Sequence, residues 1–329
     1  MKKKQMCCQD TPPSQPKSFI GFFTDLLRDS WQTSVVLLKI TIPVIIVVKI
    51  LTELGVVGIL AKILDPLMGV MDLPGSMGLV WATGMLTNLY GALAVFANLA
   101  TASDITVAQA TTIGAILLFA HSLPVEMSIT KKAGAGFSAI LALRIGSAFI
   151  YGTLLAWSCR LLQVWQQPAN IIFQPTESDT GLLSWIISQA EYLVLIMVII
   201  FALLFMMRVL RIIGLLDLIE RLLAPILPFF GMSRRAAPLT VIGMIVGLGY
   251  GGALILREAA SGKLTRQDIF NSLALMGICH GLIEDTLLMV AIGGSLSGLL
   301  WLRILFSLMF IFILVQIQKF IRMKTNNGA

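Results

Sequence analysis

The chain reads as two copies of one unit. At an offset of 159 residues an ungapped match runs from Gly55/Gly214 to Arg144/Arg303. Seventeen of its ninety aligned pairs are identical, among them Pro66/Pro225, Gly84/Gly243, Met85/Met244, Thr106/Thr265, Gly134/Gly293 and Ser138/Ser297. Duplication constrains the fold before local propensity does, because one fold must serve both copies. The chain has 2 histidines, His121 and His280, and they fall in register. Around them the copies read His121-Ser-Leu-Pro-Val-Glu126 and His280-Gly-Leu-Ile-Glu284-Asp285, and both later close on Leu-x-Leu-Arg. Duplicated membrane folds commonly build their site between the copies.

Composition decides the medium. The chain is 57% hydrophobic and 12% charged, with a mean hydropathy of +0.90, outside the range of soluble domains. Apolar runs cover roughly residues 35–52, 77–100, 107–123, 137–160, 190–207, 238–256, 268–283 and 296–318. Several reach the ~20 residues that cross a hydrocarbon core as a helix, and lipid demands that each segment satisfy its own backbone. The fold expected is an all-α polytopic membrane protein of two tandem repeats, each of about five helical segments.

The ends carry less information. Residues 1–30, with Lys2, Lys3 and Lys4 and a Pro-rich stretch, read as a cytosolic tail leading into an interfacial helix around 18–29. No apolar core followed by a small-residue cleavage site marks a signal peptide. Cys7 and Cys8 read as a cytosolic thiol pair, and Cys159 and Cys279 as small hydrophobes in apolar runs. The net charge of +7 belongs to loops and tails and reflects orientation in an anionic membrane, with no nucleic acid implied.

Basic residues mark the cytoplasmic side, and equivalent loops differ in charge. The loop at 99–108 holds Asp104 and no Lys or Arg, while its partner at 257–267 holds Arg257, Lys263 and Arg266. After the histidines the bias reverses, with Lys131 and Lys132 in the first copy and no basic residue from 281 to 302 in the second. Opposite bias implies inverted copies with an odd number of crossings each. Lys319, Arg322 and Lys324 then join the N-terminal lysines inside, and the connector at 161–183, with Glu177 and Asp179, lies outside. Arg234 and Arg235 do not fit, since the scheme turns them outward.

Four features within the repeat carry chemistry. Pro66 and Pro225 interrupt amphipathic segments in register, predicting a bent element that lies along the surface or re-enters the membrane. The glycine-rich spans hold Gly84, Asn88, Tyr90 and Gly91 in one copy, and Gly243, Gly247, Gly249, Tyr250, Gly251 and Gly252 in the other. Such spacing serves close helix packing, and unwound backbone lining a site is the alternative. His121 with Glu126, and His280 with Glu284 and Asp285, are ionisable groups beside apolar runs, where charge is expensive and marks function. They can hydrogen-bond a polar solute, relay protons or ligate a divalent cation, although no Cys/His cluster or HExxH supports metal. Finally, Arg144 and Arg303 either snorkel to a surface or pair with their repeat partners Glu126 and Asp285, the pairing being favoured.

These features together resemble the nucleoside-recognition or Gate domain. That domain is shared by concentrative nucleoside transporters, the membrane part of B-type ferrous-iron transporters and the spore-maturation A and B membrane proteins. The resemblance covers roughly residues 35–155 and 190–318. It implies Gate-like repeats at 31–160 and 184–318, an external connector at 161–183, a basic cytosolic tail at 319–329 and residence in a bacterial cytoplasmic (inner) membrane. The chain has no GTP-binding P-loop, and a nucleoside transporter's substrate residues do not map onto it position by position. The function expected is a permease moving a small polar solute, nucleoside-type by resemblance, through a site between the repeats. His121, Glu126, His280, Glu284, Asp285, Asn88, Tyr90 and Tyr250 are expected to bind the solute. Pro66, Pro225, Gly84, Gly91, Gly243, Gly247, Gly249, Arg144 and Arg303 are expected to shape or gate the site. A divalent-cation or proton pathway and a non-transporting scaffold are the alternatives. No enzyme chemistry and no cofactor are implied. The partners expected are the bilayer and a small polar solute, with a homo-oligomer left open.

Overall fold

The computed structural model describes residues 19–100, 105–172, 181–260 and 262–327. Lys2 to Lys4, Cys7, Cys8, Asp104, Glu177 and Asp179 therefore lie outside the described residues. The protein is an all-α, polytopic membrane protein. Five stretches are long and apolar enough to cross a membrane: Ile20–Glu53, Val107–Lys132, Phe137–Leu162, Leu182–Ile212 and Ser297–Ile321.

The first half contains α1 (Phe19–Glu53), α2 (Val56–Gly69), α3 (Met77–Leu86), α4 (Leu89–Ala100), α5 (Val107–Phe119), α6 (Leu123–Lys132) and α7 (Phe137–Leu162). The second contains α8 (Leu182–Ile212), α9 (Leu215–Leu223), a 3₁₀ turn Leu227–Phe230, α10 (Ala236–Val246), α11 (Leu248–Ala260), α12 (Arg266–Ile278), α13 (Glu284–Val290), a π-helical turn Ser297–Leu302 and α14 (Arg303–Asn327). Shifting the first set by the repeat offset lands each helix on its counterpart, and α5 maps onto α12 residue for residue.

The local causes recur at matched positions. Gly55 (φ +70°) and Gly214 (φ +73°) turn the chain out of α1 and α8 through the left-handed region. Thr106 and Thr265 each close a capping box. Thr106 Oγ1 accepts from Gln109 N at 3.2 Å while Gln109 Oε1 accepts from Thr106 N at 3.1 Å. Asp268 and Thr265 exchange the same pair of bonds, each at 3.1 Å.

Two helices in each half are broken. The α3–α4 break falls at Thr87 (φ −116°, ψ −95°) and Asn88, and the α10–α11 break at Gly247 (φ +111°). The α5–α6 break carries His121 and the α12–α13 break His280. In each half the second break is stitched to the helix before the first. Ser122 N donates to Gly84 O at 2.9 Å, and Leu282 N to Met244 O at 3.1 Å. Two of the backbone donors freed at these breaks are thereby satisfied within the protein. The close crossing needs glycine. A Cβ on Gly84 would lie 2.4 Å from Leu117 Cδ2, and one on Gly243 2.0 Å from Met276 Sδ, Leu117 and Met276 being repeat partners. The glycine-rich spans thus serve both as packing surface and as broken helices.

Two expectations are corrected. Residues 19–29 form no separate interfacial helix but continue into α1, since no breaker separates them from the apolar run. Pro66 does not interrupt α2, which runs on to Gly69, whereas α9 ends before Pro225 and yields to the 3₁₀ turn. Pro66 lies in the last turn of α2, which absorbs the loss of its one backbone donor without ending.

Between the halves, α7 packs on α12, α6 on α11 and α5 on α13. Tyr151 of α7 donates to Gly298 O at 2.6 Å across that junction.

Candidate functional site

Both histidines sit where a helix has just ended. His121 follows α5 and His280 follows α12, and the next residue in each copy is left-handed: Ser122 at φ +49° and Gly281 at φ +57°. This turn interrupts the helix at the histidine, and the two imidazoles meet. From behind, His121 Nδ1 lies 2.9 Å from Leu117 O and His280 Nδ1 2.8 Å from Met276 O. A carbonyl only accepts, so both Nδ1 atoms carry hydrogen and donate. In a neutral ring the lone pair is then on Nε2.

The two Nε2 atoms face each other at 3.2 Å, with ring centroids 4.8 Å apart. Glu126 Oε1 completes the cluster, 3.1 Å from His280 Nε2 and 3.7 Å from His121 Nε2. All three residues are buried, His280 at 2% exposure. Two residues expected to act together from register alone, and a carboxylate five positions along one copy, are thus brought into direct contact.

Arg144 holds this geometry. Its Nη1 makes an ion pair with Glu126 Oε2, its Nε donates to Phe119 O at 2.9 Å and its Nη2 to His121 O at 3.1 Å. One guanidinium therefore fixes the carboxylate and satisfies two carbonyls freed at the end of α5. It is fully buried, which rules out snorkelling, and packs against Gly277 of the other half.

The second copy departs from the expected pairing. Arg303 is also fully buried but makes no ion pair with Asp285. Its Nη2 donates to Thr286 Oγ1 at 3.2 Å, and its Nε and Nη1 have no hydrogen-bond partner among the described residues. Asp285 instead lies over Gly281 and brings Oδ2 to 3.9 Å from His121 Nε2. The expected Arg303–Asp285 contact fails because that carboxylate is turned toward the histidines.

The remaining residues lie at the margin. Glu284 is half-buried, and Tyr90 lies within electrostatic reach of Glu284 and Asp285. Asn88 is committed locally: its Oδ1 accepts from Gly91 N at 2.8 Å and caps α4. Gly249 lies in the first turn of α11, and the side chain of Tyr250 lies outside the described residues. Sequence reasoning missed Ser122, Gly281 and Thr286. The first two stood next to the histidines at matched positions, and a Ser/Gly pair there signals a turn that tolerates or requires positive φ.

The chain is similar to an uncharacterized membrane protein, YvoD, of Bacillus subtilis (strain 168), with 26% identity over 281 residues, 84% of this chain and 89% of that protein. No family model matches the chain and no solved structure matches it. That likeness and the long apolar helices agree on an integral membrane protein.

Proposed function

We propose that this protein passes a small cation across a bacterial cytoplasmic membrane through the cluster of His121, His280 and Glu126. One observation carries the reading. Two imidazole nitrogens and a carboxylate oxygen, buried and from different halves, converge so that all lie within 4.8 Å of one another. Asp285 and Glu284, both partly exposed, stand beside this buried cluster, so carboxylates outnumber the guanidiniums Arg144 and Arg303 there.

The nucleoside-type solute implied by the Gate resemblance is less well supported. A drug-sized ligand takes a pocket of roughly 300–1,000 Å³, and the gaps between these atoms are of contact size. Two open hollows of about 520 and 500 Å³, lined by Pro225 and Arg234 and by Thr265 and Gln318, include neither histidine. The reading takes the copies as inverted, with both termini cytoplasmic. Broken helices facing one another across such copies line ion pathways in secondary transporters.

The test is flux in proteoliposomes containing the purified chain, followed with internal divalent-cation and proton indicators. Wild type should carry one of these ions above empty vesicles, and His121→Gln and His280→Gln should each lose most of that flux. Equal flux in wild type and both variants would sink the reading.

A further inference from the structure

We infer that the ion is a divalent late first-row transition metal of the Zn²⁺ type, bound by His121 Nε2, His280 Nε2 and Glu126 Oε1, with Asp285 as the outer carboxylate. The inference rests on the cation-pathway reading above and names its substrate and ligands.

Geometry speaks first. The three donor atoms stand 3.2, 3.1 and 3.7 Å apart. A triangle with these sides has its circumcentre about 1.9 Å from each corner. An ion displaced by ~0.6 Å from the plane lies about 2.0 Å from all three, the bond length of Zn²⁺ to imidazole and carboxylate. The site needs no rearrangement to reach coordination distance.

The ring orientation is the second argument. Each Nδ1–H is spent on the carbonyl four residues back, at 2.9 Å for His121 and 2.8 Å for His280. Metal-ligating histidines donate their other ring nitrogen in this way, which fixes tautomer and direction. It also leaves two acceptor lone pairs in contact at 3.2 Å, an arrangement unfavourable in itself and resolved by a positive species between them. Either a metal ion or a shared proton meets that need. The metal accounts better for the third donor, because Glu126 Oε2 is already held by Arg144 and only Oε1 is free to point at the same spot.

Donor type sets the class. Two imidazoles and a carboxylate suit Zn²⁺ and its neighbours, whereas Ca²⁺ and Mg²⁺ take sets of oxygens. Three protein donors leave a coordination position open on a four-coordinate ion. Asp285, 3.9 Å from His121 Nε2 and more exposed than Glu126, lies beside that position. Glu284 and Tyr90 lie on the same side, Tyr90 within electrostatic reach of Glu284 and Asp285.

The test uses the chelator-stripped, full-length protein in detergent, titrated with Co²⁺ and then Zn²⁺. One Co²⁺ per chain should bind with the intense visible absorption of a four-coordinate ion, be displaced by Zn²⁺ and persist in excess Mg²⁺ and Ca²⁺. His121→Gln and His280→Gln should each weaken binding by roughly tenfold or more, about 1.4 kcal/mol. Asp285→Asn, which leaves the histidines and Arg144 in place, should weaken it by several-fold. Folded wild type that binds no Co²⁺ or Zn²⁺ overturns the inference without recourse to any variant, as does binding that survives both histidine substitutions. The same preparations in vesicles separate the two readings. Histidine-dependent proton flux without metal binding discards the metal and keeps the cation pathway; histidine-dependent metal binding without flux of either ion keeps the site and discards the pathway; neither binding nor flux discards both.

Discussion

Arg144 and Arg303 occupy one register in the two halves and both are fully buried, yet only Arg144 has its carboxylate. Arg144 spends all three donor positions on Glu126, Phe119 O and His121 O. Arg303 spends one, on Thr286. The halves are alike in backbone and unlike in charge pairing, and the unlike part surrounds the histidines.

Removing one partner of a buried ion pair strands the other, at a cost of about 3–5 kcal/mol. Arg144→Met should therefore lower thermal stability in detergent sharply. Arg303→Met, which removes one hydrogen bond to Thr286 and no direct ion pair, should cost less. Melting curves of the two variants decide this, and an equal or reversed order contradicts the asymmetry.

The turn after each histidine gives a second comparison. A Cβ on Gly281 would lie 1.7 Å from Asp285 Oδ2 at φ +57°, so Gly281→Ala must strain the backbone and push the carboxylate away. Ser122→Gly relaxes the equivalent turn at φ +49°. Gly281→Ala should lower both melting temperature and Co²⁺ affinity, while Ser122→Gly leaves affinity within about twofold. Unchanged Co²⁺ binding in Gly281→Ala would separate Asp285 from the site.

The helix crossings can be graded in the same way. A Cβ on Gly251 would meet Gly243 Cα at 2.2 Å, a backbone clash with no relief, whereas one on Gly84 meets the end of Leu117 at 2.4 Å. Gly251→Ala should therefore destabilise more than Gly84→Ala, and Leu117→Ala should partly rescue the latter. Failure of that rescue would show that Gly84 matters for something other than this contact.

Much of this arrangement was legible beforehand. The repeat offset foretold which helices correspond, the matched glycines Gly55 and Gly214 mark the turns out of the long helices, and Thr106 and Thr265 open α5 and α12 in register. The membrane class followed from composition, and the pairing of Glu126 with Arg144 from burial of charge. Direct contact between the histidines was not legible. It depends on a left-handed residue after each histidine and on how the two broken helices meet across the halves, and the second is a tertiary matter that no local pattern carries. Asn88 shows that a polar residue in an apolar span can serve as a helix cap, its Oδ1 accepting from Gly91 N. The matched prolines act differently, since α2 runs on past Pro66 while α9 ends before Pro225.

The most direct test of the account is X-ray absorption at the zinc edge on wild-type protein loaded with one Zn²⁺. The account predicts first-shell nitrogen and oxygen at about 2.0 Å with the outer-shell scattering of two imidazoles, reduced to one in His280→Gln. A sulfur shell, or a first shell of oxygen alone without imidazole scattering, would contradict it.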